Sequence, residues 1–249
     1  MSLLKDVAVQ LYSVRDVTEG DFKGVLEKLG KNGMGYSGVE FAGFGGLSIS
    51  DMRAALDENG LKPISSHTGV ELLLDEKKLD DEIAYQKALG IEYIICPYAE
   101  LETKADALAL AKKLTPVAEK IMAAGLKFGY HNHAHELVKD DGEYLLDILF
   151  DNLPEGSVME LDVFWTEYAG IDTLAYMEKN KSRLALLHLK QINNDKKNVD
   201  FDKGLIDFAG LIKKAQSLGV KHFIVEQEEY ELSSMVSVEN AINHLSALR

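Results

Sequence analysis

Short runs of apolar and β-branched residues recur along the chain, each followed by a segment whose apolar residues fall at helical spacing. Eight such runs predict eight strands, at residues 7–12, 36–41, 61–66, 93–96, 126–131, 158–163, 184–189 and 222–227. The segments between them, such as 21–33 and 50–60, predict helices, and several end in glycine, a common helix stop. Regular alternation of strands and helices is typical of a parallel sheet.

Eight strand–helix units in a chain of 249 residues match the usual size of a (β/α)8 TIM barrel. The alternative is an open, doubly wound sheet, which would carry a GxGxxG fingerprint after its first strand if it bound a dinucleotide. The chain has no such fingerprint there, and GFGG at 43–46 is more typical of a loop. Without a proline-rich or low-complexity linker, we expect a single domain over residues 1–249.

Composition excludes several classes of function. The chain has 27 basic and 41 acidic residues, a formal charge of −14, which repels nucleic acid and anionic membrane surfaces. Its single cysteine, Cys96, lies in an apolar run and allows no intrachain disulfide. There is no signal-peptide pattern and no apolar run long enough to cross a membrane, so we expect a cytoplasmic protein without membrane or nucleic-acid partners.

Ionisable residues follow each of the last four predicted strands. The fifth strand runs into HNHAHE, the sixth contains ELD, the seventh ends in HLK and the eighth in VEQE. One residue from each, Glu136, Asp162, His188 and Glu226, could meet at the carboxyl end of the barrel, where such folds place their active sites. Three carboxylates could converge there only around a cation, and this set suits one divalent ion, Mn²⁺, Mg²⁺, Co²⁺ or Zn²⁺. The alternative is that these residues are merely the solvated ends of strands.

The ordered motifs resemble those of the sugar phosphate isomerase/epimerase family, which has a xylose isomerase-like TIM barrel. The matching segments are VAVQLYSVRD, SSHTG at 65–69, GYHNHAHE, ELDVFW, LLHLKQ and IVEQE, spread over nearly the whole chain. The resemblance implies that a divalent metal is held by Glu136, Asp162, His188 and Glu226. In the fifth strand, His133 is the alternative to Glu136, as a ligand or as a base.

The resemblance also implies a reaction. The metal would chelate a carbonyl and a neighbouring hydroxyl oxygen of a keto sugar and stabilise the enediolate formed by proton abstraction. Glu136 and Glu226 would move the proton, and His133 is a second acid/base candidate. The outcome would be epimerisation or aldose–ketose isomerisation of a small sugar or polyol.

Five further residues are candidates for substrate binding. His131 alternates with His133 and so faces the same way, and Lys190 shares the face of His188. Glu40 and His67 follow the second and third strands, and Trp165 could stack on a sugar ring. Each could instead be a structural or surface residue. The loops after the seventh and eighth strands lack a glycine-rich anion site, which favours an unphosphorylated substrate.

Three other functions remain open from the sequence. The same proton abstraction could drive β-elimination, making the protein a keto-sugar or inosose lyase or dehydratase. A non-catalytic sugar-binding barrel is the second alternative, and metal removal would distinguish it. An apurinic endonuclease shares this barrel but needs a basic DNA groove, against which the charge argues. Homo-oligomers are common among relatives, although no interface is indicated.

Overall fold

Eight parallel strands close into a barrel in the computed structural model, which describes residues 3–249. In chain order the barrel strands are β1 (Ala8–Gln10), β2 (Gly38–Phe41), β3 (Lys62–His67), β4 (Tyr93–Cys96), β5 (Lys127–His131), β6 (Val158–Asp162), β7 (Leu184–Leu189) and β8 (His222–Val225). The barrel closes at β1, where Ala8 pairs with Gly38 on one side and Ile224 on the other. The predicted TIM barrel is confirmed, and every predicted strand overlaps an observed one.

Helices surround this barrel and connect its strands. The α-helices are Arg15–Thr18, Phe22–Leu29, Ile49–Asn59, Val70–Leu73, Glu76–Leu89, Lys104–Ala123, Leu145–Asp151, Val163–Tyr168, Thr173–Lys179, Phe208–Ser217 and Ser234–Ala247. Short 3₁₀ turns lie at Leu11–Val14, His135–Leu137 and Phe201–Lys203. Two small hairpins extend the loops after β5 and β7, pairing Lys139–Asp140 with Glu143–Tyr144 and Gln191–Ile192 with Asn198–Val199.

Local signals set the helix ends. The side chains of Ser48 and Thr103 accept hydrogen bonds from backbone N–H groups in the first turns of the helices that follow them, which satisfies donors that would otherwise lack partners. Gly60 and Gly90 end their helices with φ of 66° and 81°, a left-handed conformation that glycine adopts without strain. The predicted glycine stops are confirmed at these two positions.

The barrel interior changes from apolar to polar along the strand direction. A small buried cluster that includes Ala8, Leu186 and Ile224 lies toward the amino ends of the strands. Because side chains alternate along a strand, the residue two positions later also points inside the barrel. On β1 and β7 these residues are Gln10 and His188, both with no exposed surface. The alternation therefore delivers polar groups to the carboxyl end of the barrel.

Gly129 shows how tightly this interior is packed at β5. A Cβ at residue 129 would lie 2.5 Å from Ile95 Cδ1 and 2.9 Å from Val158 Cγ2, both closer than real side-chain contacts allow. The absent side chain lets β5 lie against its neighbours β4 and β6. His131, two residues further along β5, is thereby placed among the polar groups above the apolar layer.

Candidate functional site

Four ligand-type side chains converge at the carboxyl end of the barrel. They are His131 at the end of β5, Asp162 at the end of β6, His188 on β7 and Glu226 directly after β8. One potential ligand atom from each lies within 4.8 Å of those of the others, and all four side chains are buried. His188 Nδ1 is 3.2 Å from Glu226 Oε2, and His131 Nε2 is 4.0 Å from Asp162 Oδ2. We call these four residues the outer cluster.

A second group of carboxylates and imidazoles lies beneath the outer cluster and shares its two histidines. His67 Nε2 is 2.7 Å from Glu160 Oε2 and 3.0 Å from Glu40 Oε1, and both carboxylates have no exposed surface. His67, His131, Glu160 and His188 again bring four potential ligand atoms within 4.8 Å. We call Glu40, His67 and Glu160 the inner layer, since its carboxylates are buried under the outer cluster.

Lys190 supplies a buried positive charge beside the outer cluster. Its side chain has no exposed surface, and Nζ lies 2.9 Å from Glu228 Oε2, 3.7 Å from Glu226 Oε2 and 4.0 Å from Asp162 Oδ2. Burial opposes the charge of Lys190, but these three carboxylates outweigh it and raise its pKa. The lysine is thus an internal counter-ion for carboxylates that would otherwise repel one another.

The environment divides the ionisable groups into charged and neutral ones. Burial disfavours a charge on His67, but Glu40 and Glu160 outweigh it and raise the pKa of His67 to about 10. Burial, assisted by the charge of His188, lowers the pKa of His131 to about 4. Burial raises the pKa of Asp162 to about 8. In the metal-free protein at neutral pH, His131 and Asp162 are therefore uncharged, and each keeps a free acceptor atom.

Unsatisfied polar atoms concentrate at this end of the barrel. Among residues 3–249, eleven buried side-chain nitrogen and oxygen atoms lack an aligned hydrogen-bond partner. Six of them belong to the site, on His131, His133, Glu160, Asp162, Trp165 and Lys190. Buried polar groups in proteins are normally hydrogen-bonded, so such a concentration indicates missing partners from a ligand, an ion or water. The concentration marks this end of the barrel as a candidate binding site for a polar ligand.

A cavity of about 340 Å³ opens onto the outer cluster. Its walls include Tyr12, His67, Tyr98, His133, Glu226 and Glu228. Tyr12 and Tyr98 are about half exposed and stand at its mouth. Two larger grooves, of about 580 and 620 Å³, lie elsewhere on the surface and contain none of these residues. The cavity at the outer cluster is thus the candidate active site.

Glu136 lies outside both groups of ligand atoms, which differs from the sequence-based expectation. It sits in the 3₁₀ turn after β5, fully buried, where its carboxylate accepts hydrogen bonds from the Tyr130 hydroxyl and the His133 backbone N–H, both at 2.8 Å. These bonds tie the turn to the strand. Within the outer cluster, the side chain that comes from β5 is that of His131, which points into the barrel.

The remaining predicted residues fall into two sets. His67 and His133 line the cavity, and Trp165 packs beside His133 with ring centroids 5.2 Å apart. Glu40 is instead buried below the cavity, with both carboxylate oxygens occupied by protein donors.

Sequence reasoning missed Glu160 and Glu228. Glu160 was detectable, because it precedes Asp162 by two residues and shares its face.

Comparisons with known proteins agree with this architecture. A family model described as xylose isomerase-like TIM barrel matches residues 31–248. The chain belongs to the xylose isomerase-like TIM-barrel family. No curated protein compared with the chain matches it.

Solved structures of other proteins share the fold. A sugar phosphate isomerase/epimerase from Parabacteroides distasonis superposes with a TM-score of 0.82 at 24% identity, covering 97% of both chains. A 3-keto-D-glucoside 4-epimerase from E. coli has a TM-score of 0.71 at 13% identity, covering 96% of this chain and 97% of the other. An L-ribulose 3-epimerase has a TM-score of 0.69 at 14% identity over 97% and 93% of the two chains. Within residues 3–249, no helix is both long and apolar enough to span a membrane.

Proposed function

We propose that this protein is a divalent-metal-dependent sugar isomerase or epimerase whose metal site is the outer cluster. The observation that supports it most directly is the convergence of His131, Asp162, His188 and Glu226 next to a cavity. The outer cluster differs by one residue from the set predicted from sequence, with His131 in place of Glu136. The structural neighbours named as sugar epimerases favour the same class of reaction.

The residues present fit a divalent cation. Asp162 Oδ2 is buried without a partner, and the outer cluster offers two imidazole nitrogens and two carboxylates around one point. A mixed nitrogen and oxygen donor set favours Mn²⁺, Co²⁺ or Zn²⁺ over Mg²⁺, which prefers oxygen ligands. A bound ion would supply Lewis-acid stabilisation of the negative charge that develops on a sugar carbonyl oxygen when the adjacent carbon loses its proton.

Acid/base groups face the cavity from two sides. Glu226 and Glu228 lie on the loop after β8, whereas His67 and His133 come from β3 and from the segment after β5. Burial lowers the pKa of His133 to about 2, so His133 stays neutral and acts as a hydrogen-bond partner to a sugar hydroxyl. Proton removal is assigned to the carboxylates of the β8 loop. His67, on the opposite wall, is protonated at neutral pH and is the group that can return a proton from a different direction, as epimerisation requires.

The cavity suits an uncharged sugar. None of its described lining residues is a lysine or an arginine. Lys190 is buried among three carboxylates, and Arg15 donates hydrogen bonds to the Tyr12 carbonyl, the Tyr230 hydroxyl and the Glu228 carbonyl. Neither of these two cations is free to pair with a phosphate, which agrees with the unphosphorylated substrate expected from the loop sequences.

Deuterium exchange tests the proposal even while the product is unidentified. The Mn²⁺-loaded protein is incubated in D₂O with free keto sugars, 3-keto glycosides and inososes, and deuterium incorporation is followed by NMR. We expect exchange at the carbon next to the carbonyl, and its loss with chelator and in Glu226→Gln. The control is Glu92→Gln, which should retain exchange because Glu92 pairs with Lys127 away from the cavity. An unsaturated product would indicate a lyase instead. A protein that binds no divalent metal would contradict the proposal.

A further inference from the structure

The two histidines of the outer cluster present opposite ring nitrogens to it. His188 directs Nδ1 toward Glu226 in the outer cluster and Nε2 toward Glu40 and Glu160 in the inner layer. His131 directs Nε2 toward Asp162 in the outer cluster and Nδ1 toward Glu160 in the inner layer. Each imidazole therefore spans the two groups, with one nitrogen in each.

The contact between His188 and Glu40 is the better defined of these links. His188 Nε2 is 2.8 Å from Glu40 Oε1, and neither residue has exposed surface. Glu40 is itself held by two further donors, since Gln10 Nε2 donates to Oε1 at 2.6 Å and the Ser65 hydroxyl donates to Oε2. Because donors from β1 and β3 fix this carboxylate, the ring nitrogen of His188 that faces it is the one that can donate a hydrogen bond to it. When a cation takes the place of the hydrogen on Nδ1, this contact leaves His188 in the tautomer that carries its hydrogen on Nε2.

Glu160 holds the second histidine from the same layer. Its Oε2 lies 3.2 Å from His131 Nδ1 and 2.7 Å from His67 Nε2, although the His131 ring is not aligned for a hydrogen bond. His67 also contacts Glu40 at 3.0 Å, so one imidazole joins the two carboxylates. The ring of His67 stacks on that of His188, with an interplanar angle of 9°. The inner layer is thus a connected unit braced against both metal-site histidines.

We propose that Glu40 and Glu160 are positioning residues that fix opposite tautomers, so that a cation in the outer cluster binds His188 through Nδ1 and His131 through Nε2. Metal-ligating histidines commonly donate their other ring N–H to a carboxylate, which orients the ring and raises its basicity as a ligand. The inference rests on the proposed metal site. It also means that Glu40 and Glu160 orient histidines and do not bind metal themselves. We therefore expect the protein to bind one ion, in the outer cluster, and no second ion at His67.

Nitrogen NMR of the metal-loaded protein reads the coordinating nitrogens directly. Protein labelled with ¹⁵N in its histidines is loaded with ¹¹³Cd²⁺, and cadmium–nitrogen couplings are recorded for each ring. We expect two coupled histidines, one through Nδ1 and the other through Nε2. Coupling of both through the same nitrogen, or of a third histidine, would overturn the inference while leaving a metal site. Absence of bound cadmium would overturn the proposed function as well.

Variants of the inner layer test the positioning role through metal affinity. Co²⁺ binding can be followed by quenching of Trp165, the only tryptophan in the chain. We expect Glu40→Gln to weaken Co²⁺ binding roughly 10–100-fold. Ser65→Ala, which keeps the carboxylate and removes one of its donors, should weaken binding less, and it replaces Glu40→Gln if that variant does not fold. Asp147→Asn removes a carboxylate that is buried beside Tyr176 and does not line the cavity, and it serves as control. Unchanged affinity in both Glu40→Gln and Ser65→Ala would overturn the inference.

Discussion

Replacement of Lys190 by methionine should destabilise the metal-free protein strongly. The ammonium group is fully buried within 4.0 Å of carboxylate oxygens of Glu228, Glu226 and Asp162. Methionine approximates the volume of lysine, so the loss is mainly one of charge and not of packing. Removing one partner of a buried ion pair costs about 3–5 kcal/mol, because the remaining charge is left uncompensated.

An exposed lysine provides the matched control. Lys23 Nζ lies 3.0 Å from Asp51 Oδ1, a distance similar to that between Lys190 and Glu228, but both side chains are about half exposed. Exposed pairs of this kind contribute about 0–1 kcal/mol, so Lys23→Met should change the free energy of unfolding by no more than that. The two variants therefore separate burial from ion-pair distance.

Urea unfolding of both variants measures the difference, first with chelator and then with saturating Mn²⁺. We expect the loss in Lys190→Met to be smaller with Mn²⁺, because a divalent ion held by Glu226 and Asp162 replaces part of the missing positive charge. A loss of less than about 1 kcal/mol is what the exposed pair should show. If Lys190→Met lost no more than that in chelator, the reasoning from the buried charges would be refuted.

Three further predictions follow from the site. Burial raises the pKa of Asp162 from 3.8 to about 8, so the metal-free folded state keeps a proton that the unfolded state has lost, and its stability falls as pH rises between these values. A cation must displace this proton and also one from His188, whose pKa is raised because Glu160 and Glu40 outweigh its burial. Its affinity should therefore rise by up to about tenfold per pH unit for each of these two protons below pH 8, and an affinity that calorimetry finds flat there would exclude the shifts. Glu136→Gln should leave Co²⁺ affinity unchanged, whereas Glu226→Gln should lower it at least about tenfold. Equal losses of affinity in fluorescence titrations of the two variants would mean that Glu136 is a metal ligand after all. Trp165→Phe keeps an aromatic ring but removes the unpaired Nε1 donor. On a substrate identified by the deuterium-exchange experiment it should lower kcat/KM about tenfold, whereas an unchanged kcat/KM would mean that Nε1 does not contact the substrate.

The fold was predictable from the sequence, and so were three of the four outer-cluster residues, because the strands and the direction of their side chains depend on short-range periodicity. Alternation along β6 and β7 places Asp162 and His188 inside the barrel, and a parallel barrel brings successive strand ends to one face. Glu160 follows from the same alternation. These features need only the local sequence and the rule for parallel strands.

The residues after β5 could not be resolved in this way. His131 is the last residue of the strand and keeps its orientation, but the chain then enters a 3₁₀ turn in which Glu136 is bound by Tyr130 and the His133 backbone. Neither helical nor strand periodicity applies across such a turn. The local sequence therefore does not separate Glu136, the ligand that the resemblance implies, from the histidine that the strand directs inward.

Glu228 depends on contacts between distant loops. Its backbone N–H donates to Asn198 Oδ1, in the hairpin after β7, and its carbonyl accepts from Arg15, which follows β1. These long-range bonds fix the path of the β8 loop and bring Glu228 to Lys190. No periodic pattern in the sequence encodes such a contact.

The position of a bound cation tests the central claim most directly. Crystals of the protein soaked with Mn²⁺ would reveal the ion by its anomalous scattering. The account predicts one peak per chain, within coordinating distance of His131, Asp162, His188 and Glu226. A peak beside Glu136, a peak in the inner layer between His67 and Glu160, or no peak at all would contradict it.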